Sequence, residues 1–179
     1  MARLQEGQTD ALDVLVARHQ SSVYNFLFRF LRDPSTAESA TAEAFFRVWK
    51  FAPSFRPYHA GSFRAWIFTI ARNQAMSLLK KQQKRPASVQ SIFVSDDLPQ
   101  PEPEDRSEPS PEKAAFATLK SEVLGEEISR LPLRLREALL LGIQPQLGYE
   151  DIAKILGCTV SAVKARIHKA RVRLRNAIK

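Results

Sequence analysis

Apolar residues recur at helical spacing along most of the chain, which predicts an all-α fold. In the N-terminal part this spacing indicates two short helices within residues 10–32, ended by the Asp33-Pro34 pair. A third helix is expected from Ser35, which begins a capping box with Glu38, to about Trp49.

Residues 51–62 contain two prolines and a glycine, so the sequence predicts an irregular loop there. The loop interleaves aromatic and basic residues, a composition that fits a pocket for an unstacked base but fits a packed aromatic cluster equally well. Ser62 is expected to cap a fourth helix. Its predicted inward residues are Phe63, Ile67, Ile70 and Leu78.

Beyond a stretch without periodicity, the pattern predicts a helix over 114–130 and another opened by Pro132 at its first turn. The predicted packing residues of the latter are Leu135, Ala138, Leu139 and Ile143. These two helices lead into the most informative part of the chain.

The last 32 residues, from Gly148 to Lys179, contain two helical patterns joined by a very short turn. Gly157 can close the first helix in a left-handed conformation, and Thr159 stands where the second helix needs a cap. The expected inward face of the first helix is Tyr149, Ile152, Ala153 and Leu156, and that of the second is Val163, Ile167, Ala170, Leu174 and Ile178. This order predicts a helix-turn-helix, whose second helix enters the DNA major groove.

Basic residues occupy almost all of the second helix outside its apolar stripe, and no acidic residue follows Lys164. A solvated helix face usually mixes both signs of charge, so this face is predicted to lie against a polyanion. The candidate DNA contacts are Thr159, Ser161, Ala162, Lys164, Ala165, Arg166, His168, Lys169 and Arg171.

Charge divides the chain into three parts. Residues 1–81 hold 11 basic and 6 acidic residues, residues 82–112 hold 3 and 7, and residues 113–179 hold 13 and 6. Six of the eleven prolines fall in the acidic part. A connector this long without periodicity indicates two small helical domains, at 1–85 and 113–179, joined by a flexible, acidic, proline-rich linker at 86–112.

The remaining composition narrows the class of protein. Cys158 is the single cysteine, so an internal disulfide is impossible, and neither a metal site nor a cofactor is expected. The sequence has no glycine-rich phosphate loop and no convincing nucleophile–base pair, which argues against an enzyme. No apolar run reaches membrane-spanning length and the N-terminus lacks a signal-peptide pattern, so a cytoplasmic protein is expected.

Two motifs in combination resemble the extracytoplasmic-function, or group IV, sigma factors of the sigma-70 family. The stretch FRAWIFTIARNQAMSLLKK resembles their promoter-melting and minus-ten-reading segment. The stretch LPLRLREALLLGIQPQLGYEDIAKILGCTVSAVKARIHKAR is similar to their minus-thirty-five-reading domain, without a gap. The resemblance covers nearly everything but the connector.

The resemblance implies that residues 1–85 are a sigma2-like domain and residues 113–179 a sigma4-like domain. The first would bind the clamp of core RNA polymerase through Glu38, Glu43, Arg47 and Trp49. It would hold the melted non-template strand of the minus-ten element through Phe55, Tyr58, Phe63, Arg64, Arg72, Asn73, Lys80 and Lys81. The linker would run toward the active-site cleft of polymerase. An anti-sigma factor is the further partner implied, and it could hold the otherwise nucleoid-associated protein at the membrane.

One departure from the family concerns the third helix. The family usually carries an acidic patch there, where this chain has residues 39–42 with the sequence SATA, leaving Glu38 and Glu43. The alternative hypothesis is a stand-alone helix-turn-helix repressor or activator. Such a regulator needs a dimerisation surface or an effector domain, and it would bind duplex DNA tightly without polymerase.

Overall fold

Helices dominate the residues that the computed structural model describes, which are 1–57, 62–83 and 123–178, and no strand occurs among them. Helix α1 covers Ala2–Gln5, α2 Asp10–Leu31, α3 Pro34–Phe51 and α4 Ser62–Gln83. Helix α5 covers 123–130, α6 Leu133–Gly142, α7 Tyr149–Leu156 and α8 Val160–Ala177. The all-α prediction is therefore confirmed. The connector at 86–112 and the start of the helix expected at 114 lie outside the described residues.

Residues 10–31 form one helix of 22 residues, so the prediction of two short helices is wrong. The two serines at the middle of this helix each cost only about 0.5 kcal/mol of helix stability relative to alanine. Packing outweighs that cost, because Val23, Phe26, Leu27 and Phe30 are buried where α2 contacts α3 and α4. The helix ends at Leu31, and the capping residue Arg32 adopts a left-handed conformation with φ of 62°.

Asp33, not Ser35, caps α3. The Asp33 carboxylate accepts a hydrogen bond from the Thr36 backbone N–H at 2.7 Å, and Pro34 occupies the first helical position. Proline fits there because its fixed φ is helical and its missing N–H would have no partner in the helix. The helix therefore begins earlier than the capping box indicated, and it ends at Phe51 rather than near Trp49.

Replacing Asp33 by alanine is expected to lower the free energy of unfolding by about 1 kcal/mol, the usual cost of losing a helix cap. Ser35→Ala is the matched control, because Ser35 is exposed within the first turn and should cost less than about 0.5 kcal/mol. Urea unfolding followed by circular dichroism measures both. A larger loss for Ser35→Ala than for Asp33→Ala would restore the capping box as the helix start.

The first lobe, comprising α1 to α4, is held together by aromatic packing. Phe26 meets Phe68 edge-on, with ring centroids 5.5 Å apart, and both side chains are fully buried. The fully buried stripe of α4 contains Ala65, Ile67, Phe68, Ala71 and Ala75. Among the residues expected to face inward, Ile67 is fully buried, whereas Phe63, Ile70 and Leu78 are only partly buried.

The second lobe, comprising α5 to α8, packs α6 closely against α8. A Cβ atom added to Gly142 would lie 2.7 Å from Cδ1 of Ile167, so a larger residue there would force the end of the Ile167 side chain to move. Pro132 is the cap of α6 rather than its first residue. Ile143 follows the helix end and is exposed, so its expected inward position is wrong.

The two lobes contact each other through α6 on α2 and α7 on α4, and their buried residues form one connected apolar cluster.

Arg136 of α6 forms hydrogen bonds to backbone carbonyls at the C-terminal ends of two helices. Its guanidinium donates to the Phe30 carbonyl of α2 at 3.4 Å and to the Ser129 carbonyl of α5. A cationic group is favoured at a helix C-terminus because the unpaired carbonyls there carry partial negative charge. Burial of the guanidinium has the opposite effect on the charged form and lowers the pKa of Arg136.

Candidate nucleic-acid interface

The predicted helix-turn-helix is present as α7, a short turn and α8. Gly157 ends α7 with φ of 60°, a left-handed conformation that glycine adopts without steric cost. Thr159 caps α8 by accepting a hydrogen bond from the Ala162 N–H at 3.2 Å. Both turn residues therefore have the conformations that the sequence predicted, and they fix the start of α8 relative to α7.

Helix α8 buries one stripe and exposes the opposite side. The stripe is Val163, Ile167 and Ala170, while Leu174 is partly buried and Ile178 is exposed beyond the helix end. Of the predicted DNA contacts, Ala162 and Arg166 are partly exposed, and Thr159, Ser161, Lys164, Ala165, His168, Lys169 and Arg171 are exposed. The structure therefore presents this set along one accessible helix.

Small residues lie at the centre of the accessible side of α8. Ala165 lies two positions from both Val163 and Ile167, so it faces away from the buried stripe, and Ser161 lies one turn earlier. Lys164 and Arg166 flank Ala165 on its two sides. A narrow centre between two cationic edges has the shape required to enter a groove lined by phosphates.

Tyr149 supports Lys164, a contact that the sequence did not predict. Tyr149 is exposed at the start of α7 instead of facing inward, so its expected position is wrong. The Lys164 ammonium lies 5.5 Å from the centroid of its ring, within the range of a cation–π interaction. This contact places the Lys164 side chain near the N-terminal ends of both helices.

In the first lobe, the loop after α3 is more regular than predicted. Residues Ala52–Ser54 form a 3₁₀ turn, and the side-chain amide of Gln5 donates to the carbonyls of Ala52 and Phe55 at 3.0 and 2.9 Å. The loop entrance is thus fixed by α1. Tyr58, a predicted base contact, lies outside the described residues.

Phe55 is buried, with 6% of its surface exposed, so its predicted role as a stacking partner of a base needs correction. Its ring packs against Phe63 and Trp66, with centroid distances of 6.3 and 4.9 Å. The contacts with Phe63 and Trp66 thus leave little of the Phe55 ring exposed for stacking with a base. Phe63 also contacts His19 at 5.2 Å, and burial, followed by the charges of Arg64 and Arg18, lowers the pKa of that histidine.

A cavity of about 270 Å³ lies beside this aromatic cluster. Phe55, Arg56, Ser62 and Trp66 of the first lobe line it, together with Lys154 and Ile155 of α7. Trp66 is only partly buried, so it is the aromatic residue of α4 that is both accessible and next to a cavity. The sequence prediction omitted Trp66, although the FRAW motif contains it.

The polar candidates of α4 divide into two groups. Asn73, Lys80 and Lys81 are exposed. Arg64 and Arg72 instead contact the second lobe: Arg64 donates to the Pro145 carbonyl at 2.8 Å, and Arg72 forms an ion pair with Glu137 at 2.8 Å. The structure thus keeps the predicted set on one helix, with two of its arginines engaged by the other lobe.

On α3, the predicted polymerase contacts are accessible. Glu38 is exposed, and Glu43 pairs with Arg47 at 2.7 Å. Trp49 is 47% exposed and touches Phe46, which is 50% exposed, with ring centroids 5.7 Å apart. Phe46 was missed because its position in the helical pattern does not distinguish a surface ring from a packed one. We call Phe46 and Trp49 the aromatic patch.

Neither a metal-binding cluster nor a membrane-spanning helix occurs among the residues that the structure describes. No group of three or more histidine, cysteine, aspartate or glutamate residues there could hold a metal ion. None of the helices there is long and apolar enough to cross a membrane.

Comparison with known families matches both lobes. Residues 15–85 match sigma-70 region 2, and residues 121–174 match sigma-70 region 4. The chain is 30% identical over 176 residues to the RNA polymerase sigma-H factor of Pseudomonas aeruginosa, covering 98% of this chain and 90% of that protein. It is also 30% identical over 176 residues to the ECF RNA polymerase sigma-E factor of Haemophilus influenzae, covering 98% and 92%.

Solved structures share the fold. A chain in the structure of CnrH in complex with the cytosolic domain of CnrY aligns with a TM-score of 0.70 at 22% identity, covering 99% of this chain and 93% of that one. A chain in the complex of the sigma factor RpoE with the anti-sigma factor NepR from Bartonella quintana gives a TM-score of 0.70 at 21% identity, covering 95% and 97%. With regions 2 and 4 both matched and the whole length shared with curated relatives, the chain belongs to the sigma-70 family, in its extracytoplasmic-function group.

Proposed function

We propose that this protein is a sigma factor that directs core RNA polymerase to specific promoters and helps to melt them. The observation that carries the proposal is the presence of two different surfaces in one chain. Helix α8 exposes a cationic side of the shape that duplex DNA accepts, and α4 borders a cavity lined by Trp66 and Arg56. A duplex-binding repressor needs only the first of these.

In this proposal the second lobe reads the minus-thirty-five element. Ser161 and Ala165 face the groove, Lys164 and Arg166 reach base edges, and His168, Lys169 and Arg171 contact phosphates further along α8. Bases in a duplex differ most in their major-groove edges, so residues of the first turns determine sequence preference.

The first lobe holds the melted strand of the minus-ten element. Stacking of a base on an aromatic ring contributes about 1–3 kcal/mol, so an accessible ring beside a cavity is the feature required. Trp66 and the loop residue Tyr58 are the proposed stacking partners, and Asn73 the proposed polar contact. Phe55 and Phe63 pack against Trp66. The proposed contacts with the phosphates of the strand are Arg64, Arg72, Lys80 and Lys81.

The aromatic patch, together with Glu38, Glu43 and Arg47, is the proposed docking surface for the polymerase clamp. The domain limits 1–85 and 113–179, with the acidic connector 86–112 between them, remain part of this proposal. The protein acts without catalytic chemistry of its own, in the cytoplasm where polymerase and the nucleoid lie. An anti-sigma factor is the proposed inhibitory partner, because a related fold is seen bound to one.

Reconstitution with core polymerase tests the function. We expect transcripts that begin at a small set of promoters sharing minus-ten and minus-thirty-five elements, with permanganate-reactive thymines near minus ten. Core polymerase alone is the control and should give neither. If the protein instead shifted duplex DNA tightly by itself and added no transcripts to core polymerase, the alternative of a stand-alone regulator would replace this proposal.

A further inference from the structure

Tyr149, the first residue of α7, is an aromatic residue that the core does not bury. It is 45% exposed, whereas Ile152, Ala153 and Ile155 of the same helix are buried. The ring of Tyr149 instead lies near α8, with its centroid 5.5 Å from the ammonium of Lys164. The apolar side of α7 is thus complete without Tyr149, and core packing does not explain an aromatic residue at this position.

Lys164 lies just after the first turn of α8, where its charge is not favoured by the helix itself. The N-terminal end of a helix carries a partial positive charge, which repels a nearby ammonium. The first turn of α8 contains no acidic residue that would offset this repulsion. The face of an aromatic ring carries partial negative charge, so the Tyr149 ring supplies an attraction that the first turn of α8 lacks.

The two cationic edges of the accessible side of α8 differ in how well their side chains are ordered. Arg166, on one edge, carries a planar guanidinium whose donors have a fixed geometry. Lys164, on the other edge, carries a point charge on a flexible stem. Ordering such a stem costs conformational entropy when DNA binds. A ring that already lies near the ammonium restricts the stem beforehand, so less of this cost remains at the moment of binding.

A ring suits this task better than a carboxylate would. A carboxylate could also hold the Lys164 ammonium, but it would accept the N–H donors and repel the phosphates of DNA. An aromatic face attracts the charge as a whole and leaves the donors available for other acceptors. In the major groove, guanine presents two acceptors, O6 and N7, which lysine and arginine side chains recognise.

We propose that Tyr149 is a positioning residue for promoter recognition, whose ring holds the Lys164 ammonium where it reads a guanine of the minus-thirty-five element. The proposal rests on the function proposed above, since it requires α8 to enter the major groove of that element. Tyr149 contacts no base and acts through Lys164 alone. Its effect is therefore confined to the base pair that Lys164 reads.

The test uses the full chain bound to core polymerase and a library of promoters randomised over the minus-thirty-five element. Sequencing of the bound and unbound DNA gives the relative affinity for each base at each position. Tyr149→Leu removes the ring and keeps an apolar side chain, whereas the matched variant Tyr149→Phe keeps the ring and loses only the hydroxyl. Thermal unfolding verifies that both variants fold.

In the unaltered chain one position of the element is expected to prefer guanine, and Lys164→Ala abolishes that preference. Tyr149→Leu reduces the same preference about two- to fivefold, the usual strength of an exposed cation–π contact, and leaves the other positions unchanged. Tyr149→Phe retains the preference. In the double variant, Tyr149→Leu adds nothing to the effect of Lys164→Ala on this position, because the residue it positions is already gone.

Equal weakening of every sequence by Tyr149→Leu would overturn the proposal, because a residue that only packs or contacts phosphate has that effect. Equal losses of guanine preference in Tyr149→Leu and Tyr149→Phe would also overturn it, since the hydroxyl and not the ring would then be required. An unchanged preference in Lys164→Ala, or additive losses in the double variant, would do the same. Failure of the proposed function is distinguishable from these results, because the unaltered chain with core polymerase would then select no sequence from the library.

Discussion

Replacing Trp49 by alanine is expected to weaken binding to core RNA polymerase by about thirtyfold or more, since truncation of an aromatic residue central to an interface typically costs about 2 kcal/mol or more. Phe46→Ala should weaken binding by a similar factor. These two rings contact each other on the accessible side of α3, and neither contributes to the buried core.

The importance of the aromatic patch follows from what α3 lacks. Where related sigma factors usually carry acidic residues, residues 39–42 are SATA, so we expect charge to contribute less to the proposed docking on polymerase. Apolar area must then supply more of the affinity, and exposed paired rings are the kind of surface that marks a protein interface.

Val14→Ala is the matched control for the docking experiment. Val14 is 45% exposed on α2, similar to Trp49, but it lies apart from the aromatic patch in the sequence and on another helix. Titration of labelled protein with core polymerase, followed by fluorescence anisotropy, measures all three variants, and thermal unfolding verifies their fold. Equal affinities for Trp49→Ala and Val14→Ala would place the docking surface elsewhere.

The helix-turn-helix was predictable because its signals are local. A glycine that can adopt positive φ, a threonine two residues later and an apolar stripe at helical spacing determine α7, the turn and α8 within a few residues. Packing between residues far apart in the sequence was harder to predict. The spacing of apolar residues suggested two helices over residues 10–32, but burial against α3 and α4 keeps α2 continuous.

The candidate site could be predicted only as a set of residues, not as an arrangement. Loop composition could not show that Phe55 is enclosed by Phe63 and Trp66, because those contacts depend on how α4 returns against the 3₁₀ turn. The pairing of Arg72 with Glu137 joins residues 65 positions apart. Nothing near either residue in the sequence identifies its partner.

Ala165→Glu is expected to weaken binding of the holoenzyme to a promoter with a minus-thirty-five element by more than about a hundredfold, since a like charge placed against phosphates costs several kcal/mol. Ala165 lies at the centre of the accessible side of α8, with Lys164 and Arg166 beside it. In the proposed orientation of α8, a glutamate there adds bulk where the helix would enter the groove and adds a charge that the DNA repels.

Ala177→Glu is the matched control, because Ala177 is also exposed on α8 but lies at its last residue, away from the groove-facing turns. The same charge change there should weaken binding only a few-fold, through the phosphate contacts alone. Filter binding at several salt concentrations separates the two effects, and circular dichroism verifies the helix content of both variants.

Single alanine substitutions then test how α8 is oriented in the groove. Lys164→Ala and Arg166→Ala should each cost about 1–3 kcal/mol and change the preferred minus-thirty-five sequence, because they lie in the first turns where base edges are within reach. Lys169→Ala should weaken binding to all promoters alike and reduce the salt dependence, because Lys169 lies further along α8 and is proposed to contact phosphate. A changed preference in Lys169→Ala, with none in the other two, would mean that α8 lies in the groove with a different end toward the bases.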